Sequence, residues 1–390
     1  MTPAIGGAPA SPQRVPFLDF GRMHAQFGSE IDAAMARVAA SGRYILGPEV
    51  DAFEREWAAF SGSRGAVGVA NGTDALALAL LASGAVAPGR GDEVVTSPIT
   101  AGYTALAILA TGAVPVFADV DPETVLVTAE SVERVLTPRT RALLPVHLYG
   151  QTTEMSDLLA LAAARGLTVI EDACQAHGAE YGVRTEEAHP AAARKRAGAL
   201  GRAGAHSFYP TKNLGGLGDG GAIVSDDEEL LARARVLRFG GQVSTYLHEV
   251  VGVNSRLDEL QAAVLRVKLA RLAAATAERQ QIAARYVAGL AGAPLGLPTP
   301  LGPGRHVYHL FVVRAAARDA LRAHLERAGV QTLVHYPHPL HRQPAFAPYA
   351  RGPLPAAESA VQSILSLPLY PGLPVEQVDR VIAALRSFSH

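Results

Sequence analysis

An α/β fold, with a mostly parallel sheet covered by helices on both faces, is what this sequence predicts. Three observations predict it. From about residue 66, short β-branched runs alternate with longer stretches of helical period. Past Gly252 the alternation gives way to a long helical pattern and then a smaller strand-and-helix region. The composition, 49% hydrophobic and 18% charged over 390 residues, gives such layers ample material for a core.

Taken in order, residues 66–70 read as a strand and 73–83 as the helix that follows it. Strand 93–97 leads to a helix over 103–110, and strands 114–118 and 143–147 continue the series. Helix 155–165 precedes strand 168–171. Strands joined through helices pair in parallel, and ligands of such sheets sit at the carboxyl ends of the strands. Residues 183–198 are charged and without periodicity, which predicts a surface loop. A single long helical pattern, poor in Gly and Pro, runs over 256–290. After a Pro/Gly-rich stretch at 293–304, a strand is expected at 307–313 and a helix at 317–328. The chain thus divides into a tail (1–14), a large domain (15–245) and a smaller α+β domain (246–390).

Composition also excludes classes. With 35 Lys+Arg against 36 Asp+Glu, nothing draws the chain to nucleic acid. The lone Cys174 rules out an internal disulfide framework and fits a reducing cytoplasm. The Pro-, Ala- and Gly-rich tail lacks the basic start and apolar run of a secretion signal. Alanine-rich runs such as 75–82 are broken too early to span a membrane. A cytoplasmic enzyme is expected.

Three segments carry chemistry. At 67–74, VGVANGTD runs from a strand straight into a helix. Free N–H groups there, with the Thr73 hydroxyl, suit a phosphate; a plain turn with a helix cap is the simpler reading. At 170–178, IEDACQAHG places acids at the end of a strand. Either Glu171 or Asp172 could pair with a protonated ring nitrogen, since adjacent strand residues face opposite sides. Cys174 reads as a small buried filler. At 207–221, SFYPTKNLGGLGDGG sets Lys212 between a short apolar strand and a glycine-rich turn. Lysine forms Schiff bases, and desolvation lowers the pKa of its amine. No G-x-G-x-x-G follows the first strand, which argues against a dinucleotide fold.

Together with GVNSRLDELQAA and HYPHPLHRQPAF, and in this order, ANGTDAL, EDACQAHGA and SFYPTKNLGGLGDGG resemble the DegT/DnrJ/EryC1/StrS family of sugar aminotransferases. The resemblance runs from about Val15 to the C-terminus. It implies the fold-type-I architecture, a seven-stranded, mostly parallel sheet between helices plus a smaller C-terminal α+β domain. It implies pyridoxal 5'-phosphate as cofactor and no metal. Lys212 matches the lysine that holds the cofactor covalently, and Asp172 the partner of its ring nitrogen. Gln175 matches the contact to the phenolic oxygen. Gly72, Thr73 and Ser207 match the phosphate cradle. Asn254 matches a residue that reaches the phosphate from the neighbouring subunit, which implies a homodimer with shared active sites.

The sequence departs from the family pattern in two places. Ala101 stands where a stacking ring is usual, so that Tyr103 is the candidate replacement. His206 stands where an apolar residue is common and reads as a core histidine. The implied reaction is a ping-pong transamination from L-glutamate to a nucleotide-linked keto sugar. The glycine-rich wording resembles members acting on dTDP-3-keto-6-deoxyhexoses, with UDP-linked 3-keto uronic acids and 4-keto sugars as rivals. His335, Tyr336 and His341 offer donors and acceptors to sugar hydroxyls or a diphosphate. Dehydratases of the family replace the lysine with histidine, so Lys212 argues against that chemistry. A non-catalytic regulatory member is the alternative from another class.

Overall fold

The computed structural model describes residues 14–181, 195–302 and 306–388. Its central sheet has seven strands. These are β1 (Gly65–Val69), β2 (Glu93–Thr96), β3 (Val114–Phe117), β4 (Thr140–Leu144), β5 (Thr168–Asp172), β6 (Ala203–Ser207) and β7 (Gly221–Ser225). Across the sheet the order is β1-β7-β6-β5-β4-β2-β3. Only β7 runs against its neighbours; the other adjacent pairs are parallel. Six strands therefore end at one edge, where crossover connections leave room for a ligand.

The helix Gly72–Ala82 shows how this layer is held. Its sequence, GTDALALALLA, is apolar on nearly every side, as a helix walled in by protein must be. Leu76, Leu78 and Leu80 are buried between the sheet and the helices Gly102–Ala110 and Glu228–Arg238. Asn71 caps its start by accepting a hydrogen bond from the Asp74 N–H at 2.9 Å. Beneath the opposite face, helix Pro48–Ser61 contributes Phe53 and Trp57 to a core shared with Phe208 and Leu257.

Three expected elements differ from those observed. The strand expected at 143–147 is β4, Thr140–Leu144. Pro145 has no N–H to continue the ladder, and pairing resumes only as a Val146–Asp172 bridge. The strand expected at 307–313 shrinks to Phe311–Arg314. Residues before it pack on the 149–150 turn instead, with Val307 donating to the Gly150 carbonyl and Leu310 to that of Tyr149. The single helix expected over 256–290 is two, Glu259–Leu269 and Leu272–Gly289. The first packs on helices Gly28–Ser41 and Pro48–Ser61, the second on Val375–Arg386, and the break lets each reach its own partner. The expected loop at 183–198 lies outside the described residues as far as 194; Lys195–Arg196 then pair with Glu180–Tyr181.

Toward the C-terminus, an antiparallel pair (Phe311–Arg314 with Ile364–Leu367) and helices Arg318–Arg327 and Val375–Arg386 enclose a separate core. Val15 belongs to that core, bridged in parallel to Val330. Arg279, buried on helix Leu272–Gly289, donates to the carbonyls of Tyr308 and Leu369, both at 3.1 Å. No helix of the described residues is long and apolar enough to cross a membrane.

Candidate active site

At the carboxyl edge of the sheet lies a cleft of about 750 Å³. Its floor is built from three elements. The helix Gly72–Ala82 brings its N-terminus there, so the Gly72 and Thr73 backbone faces the opening with the positive end of the helix dipole. From β6 comes Ser207, so close that a Cβ on Gly72 would stand 2.6 Å from the Ser207 Cβ. Only glycine allows that approach, and the result is a shallow cradle of N–H and hydroxyl groups fitting a phosphate.

β5 supplies the acid. Its two carboxylates go to opposite faces, and Asp172 is the one that lines the cleft. Thr104 donates to Asp172 Oδ2 at 2.8 Å, and the Cys174 N–H reaches Oδ1 at 3.2 Å. Thr100 lies 3.0 Å from Thr104, oxygen to oxygen. Because Thr104 gives its proton to a carboxylate, Thr100 is the donor between the two hydroxyls. Glu171 instead accepts four bonds behind the sheet, from His147 Nε2 and the N–H groups of Gly198, Leu200 and Gly201. The Thr153 N–H donates to His147 Nδ1, which leaves the imidazole proton on Nε2. Burial would raise the Glu171 carboxyl, but His147 and these backbone donors hold it below the usual carboxylate range.

Lys212 comes from the turn after β6 and faces the same cleft. Burial pushes its ammonium below the ordinary lysine value, against the pull of Cys174 and Asp172. Among the described residues its Nζ makes no hydrogen bond. Cys174 also lines the cleft, but burial and then the neighbouring Asp172 push its thiol well above the usual range. It is a neutral filler in contact with Gly72 rather than a nucleophile.

Of the remaining candidates, Gln175, Tyr103 and Tyr336 line the cleft. Tyr103 is 66% exposed, two residues after Ala101 at the same mouth. His335 lies beside Tyr336 with its Nδ1 2.9 Å from the Ser366 hydroxyl and its ring stacked on Phe17. His341 is buried away from the lining, its Nε2 2.9 Å from a Glu358 oxygen. Asn254 is exposed and outside the lining, although its neighbour Ser255 donates to Asp74 at 2.6 Å, just behind the cradle. His206 packs edge-on against Trp57, ring centroids 4.9 Å apart, and burial pushes its imidazole down to about 4. It is a neutral core histidine.

The family model for DegT/DnrJ/EryC1/StrS aminotransferases matches residues 25–386. The chain belongs to this aminotransferase family. The expected family and fold are thereby borne out. Among members of the DegT/DnrJ/EryC1/StrS family, a dTDP-3-amino-3,4,6-trideoxy-alpha-D-glucose transaminase of Streptomyces venezuelae is 48% identical over 383 residues, 97% of either chain. The crystal structure of S. venezuelae DesV in complex with a ketimine intermediate superposes with a TM-score of 0.89 at 48% identity, covering 96% of this chain and 98% of that one. The structure of ntda from Bacillus subtilis with bound cofactor PMP gives a TM-score of 0.85 at 31% identity, covering 96% and 85%. Pyridoxal phosphate is the cofactor of this family's chemistry, and the cradle, acid and lysine fit it.

Sequence reasoning did not single out Thr100, Thr104 or Tyr149. Thr104 sits in the first turn of the helix Gly102–Ala110 and Thr100 two residues before it, so helical spacing gives no signal for the pair. Tyr149 carries no signal beyond the Gly150 that follows it.

Proposed function

We propose that the chain is a pyridoxal-phosphate-dependent aminotransferase. It moves the amino group of L-glutamate onto a dTDP-linked 3-keto-6-deoxyhexose, giving a dTDP-3-amino-3,6-dideoxyhexose. One observation carries this reading: Lys212, Asp172 and the Gly72–Ser207 cradle converge on one cleft. The S. venezuelae transaminase, named for a dTDP-3-amino-3,4,6-trideoxy sugar, supports the broader class of dTDP-linked 3-keto deoxyhexoses.

When bound, the cofactor supplies an electron sink for proton movement at the carbon bearing the amino group. The cradle of Gly72, Thr73 and Ser207 takes its phosphate. The Asp172 carboxylate, aimed by Thr104, keeps a ring nitrogen protonated by charge pairing. Lys212 is the covalent attachment point and, once free, the base that carries the proton. Its lowered pKa lets it give up a proton more readily than a surface lysine does. Gln175 contacts the phenolic oxygen, and Tyr103 covers the ring in place of Ala101.

A homodimer completes the site, with Asn254 of each copy reaching its partner's phosphate cradle. Supporting this, Tyr246 (89% exposed) and Val251 (96% exposed) form an uncovered apolar patch with Leu247, Val250 and Val253 beside Asn254. The compartment is the cytoplasm.

The test is an absorbance spectrum of the protein mixed with pyridoxal phosphate, before and after L-glutamate. A visible band that glutamate discharges, missing in Lys212→Ala, is the expected result. Wild-type protein without the band would overturn the reading, and a band indifferent to glutamate would remove the donor. Keto-sugar nucleotides are then ranked by how fast they restore the band. Faster restoration by a UDP-linked 3-keto uronic acid would transfer the substrate assignment to that class.

A further inference from the structure

Tyr149 touches three separate stretches of chain, and each polar group it owns is engaged. Its N–H donates to Gln175 Oε1 at 2.8 Å, and its carbonyl accepts from the Leu310 N–H at 3.2 Å. Its hydroxyl donates to the His335 carbonyl at 2.5 Å. The residue is buried, and its backbone is left-handed (φ 59°), a region where a tyrosine is held only by its surroundings.

These bonds settle the orientation of the Gln175 amide. A backbone N–H can only donate, so the atom facing Tyr149 is the oxygen and the other is the nitrogen. That nitrogen donates to the Tyr336 hydroxyl at 2.9 Å. The Tyr336 oxygen has therefore accepted a bond, while its own proton remains available. Burial raises the phenol above its ordinary value, so the proton stays in place at neutral pH. Tyr336 lines the cleft. The contacts close a ring, from Tyr149 to Gln175 to Tyr336, along the chain to His335 and back to the Tyr149 hydroxyl.

We infer that Tyr149 is a positioning residue that fixes the Tyr336 hydroxyl as a hydrogen-bond donor to an oxygen of the sugar substrate. This rests on the aminotransferase reading above. Gln175 is held by the Tyr149 backbone, and the 335–336 segment by the Tyr149 hydroxyl through the His335 carbonyl. Loss of the hydroxyl loosens that segment and leaves the Gln175 contact in place.

The experiment compares Tyr149→Phe, Tyr336→Phe and the double variant, with two readouts. In steady-state kinetics of the holoenzyme, each single change raises KM for the nucleotide sugar roughly five- to tenfold, the worth of one hydrogen bond, while the cofactor absorbance is unchanged. The double variant is no worse than Tyr336→Phe, because one residue acts through the other. Losses that multiply, or an unchanged KM, would overturn the inference. Hydrogen exchange of residues 332–338, measured on the full chain before any substrate is added, is the second readout. Tyr149→Phe speeds it, and the midpoint of global unfolding stays put; unchanged exchange would overturn the clamp. A wild-type protein that turns over no keto-sugar nucleotide refutes the enzymatic reading instead, and the exchange comparison still decides whether Tyr149 holds the segment.

Discussion

Glu171 and Asp172 follow one another in β5, and the two-residue period of a strand sends them to opposite faces. Strand period alone does not say which faces the cleft; the resemblance of the motif implied Asp172, and Asp172 is the one that lines it. Once folded, the two environments share no donor. Glu171 is a saturated anchor for the 198–201 turn, and Asp172 keeps lone pairs directed at the cleft. Glu171→Gln should cost about 3 kcal/mol, because the side-chain amide NH2 would then oppose donors that face both oxygens. The pH dependence has a definite sign. A carboxyl depressed in the folded state stabilises fully at neutral pH, and that contribution drains away as pH falls below the ordinary value of 4.5. Urea unfolding at pH 7 and pH 4 should show a smaller acid loss in Glu171→Gln than in wild type. Equal losses would mean that some other group sets the acid limb. The placement of Lys212 and Gly72 at the cleft was legible because the motifs that carry them rest on residue type. Tyr149 was not, since a tyrosine in left-handed backbone has no signature of its own.

Among the elements, helices with strong period and clear ends were read to within a residue or two. Met155–Arg165, closed by the left-handed Gly166, is the clearest. What escaped were boundaries set by distant partners. No Gly or Pro marks the break at 270–271, because packing of the two halves on different neighbours decides it. A similar remote hand begins the helix Pro48–Ser61. Its N-terminus has no side-chain cap of its own; Glu259, more than two hundred positions along the chain, accepts from the N–H groups of Gly47, Glu49 and Val50 at 2.9, 3.0 and 2.8 Å. A carboxylate there bonds three orphan donors and answers the helix dipole. Glu259→Gln should lower stability by about 1–2 kcal/mol, read as a lower thermal midpoint. A midpoint equal to wild type would show that solvent caps this helix equally well.

For the whole molecule, the chain lines one cleft and leaves apolar residues uncovered at Tyr246 and Val251. If Asn254 serves the partner's cradle, defects in Lys212 and Asn254 belong to different sites of the same dimer. Asn254→Ala alone should weaken cofactor retention without unfolding the chain. Coexpressed with Lys212→Ala, it should give mixed dimers in which one site carries both defects and the other neither, and activity should return above that of either parent. Mixed dimers no more active than the average of the two parents would confine Asn254 to its own subunit. The residues of the apolar patch around Tyr246 and Val251 lie within eight positions of one another, but that they stay uncovered is visible only in the fold.

The bridge between Val15 and Val330 bears on the order in which the protein is made. Synthesis runs from the N-terminus, and early segments generally fold first. Here the Val15 N–H must wait for the Gly329 carbonyl, and the Phe17 N–H for the side chain of Gln331, 314 positions later. A nascent chain that has emerged through β7 holds every strand of the main sheet, yet Val15 and Phe17 still have nowhere to dock. They stay unpaired until residues 329–331 have emerged, and their docking ties an early stretch of the chain to a much later one.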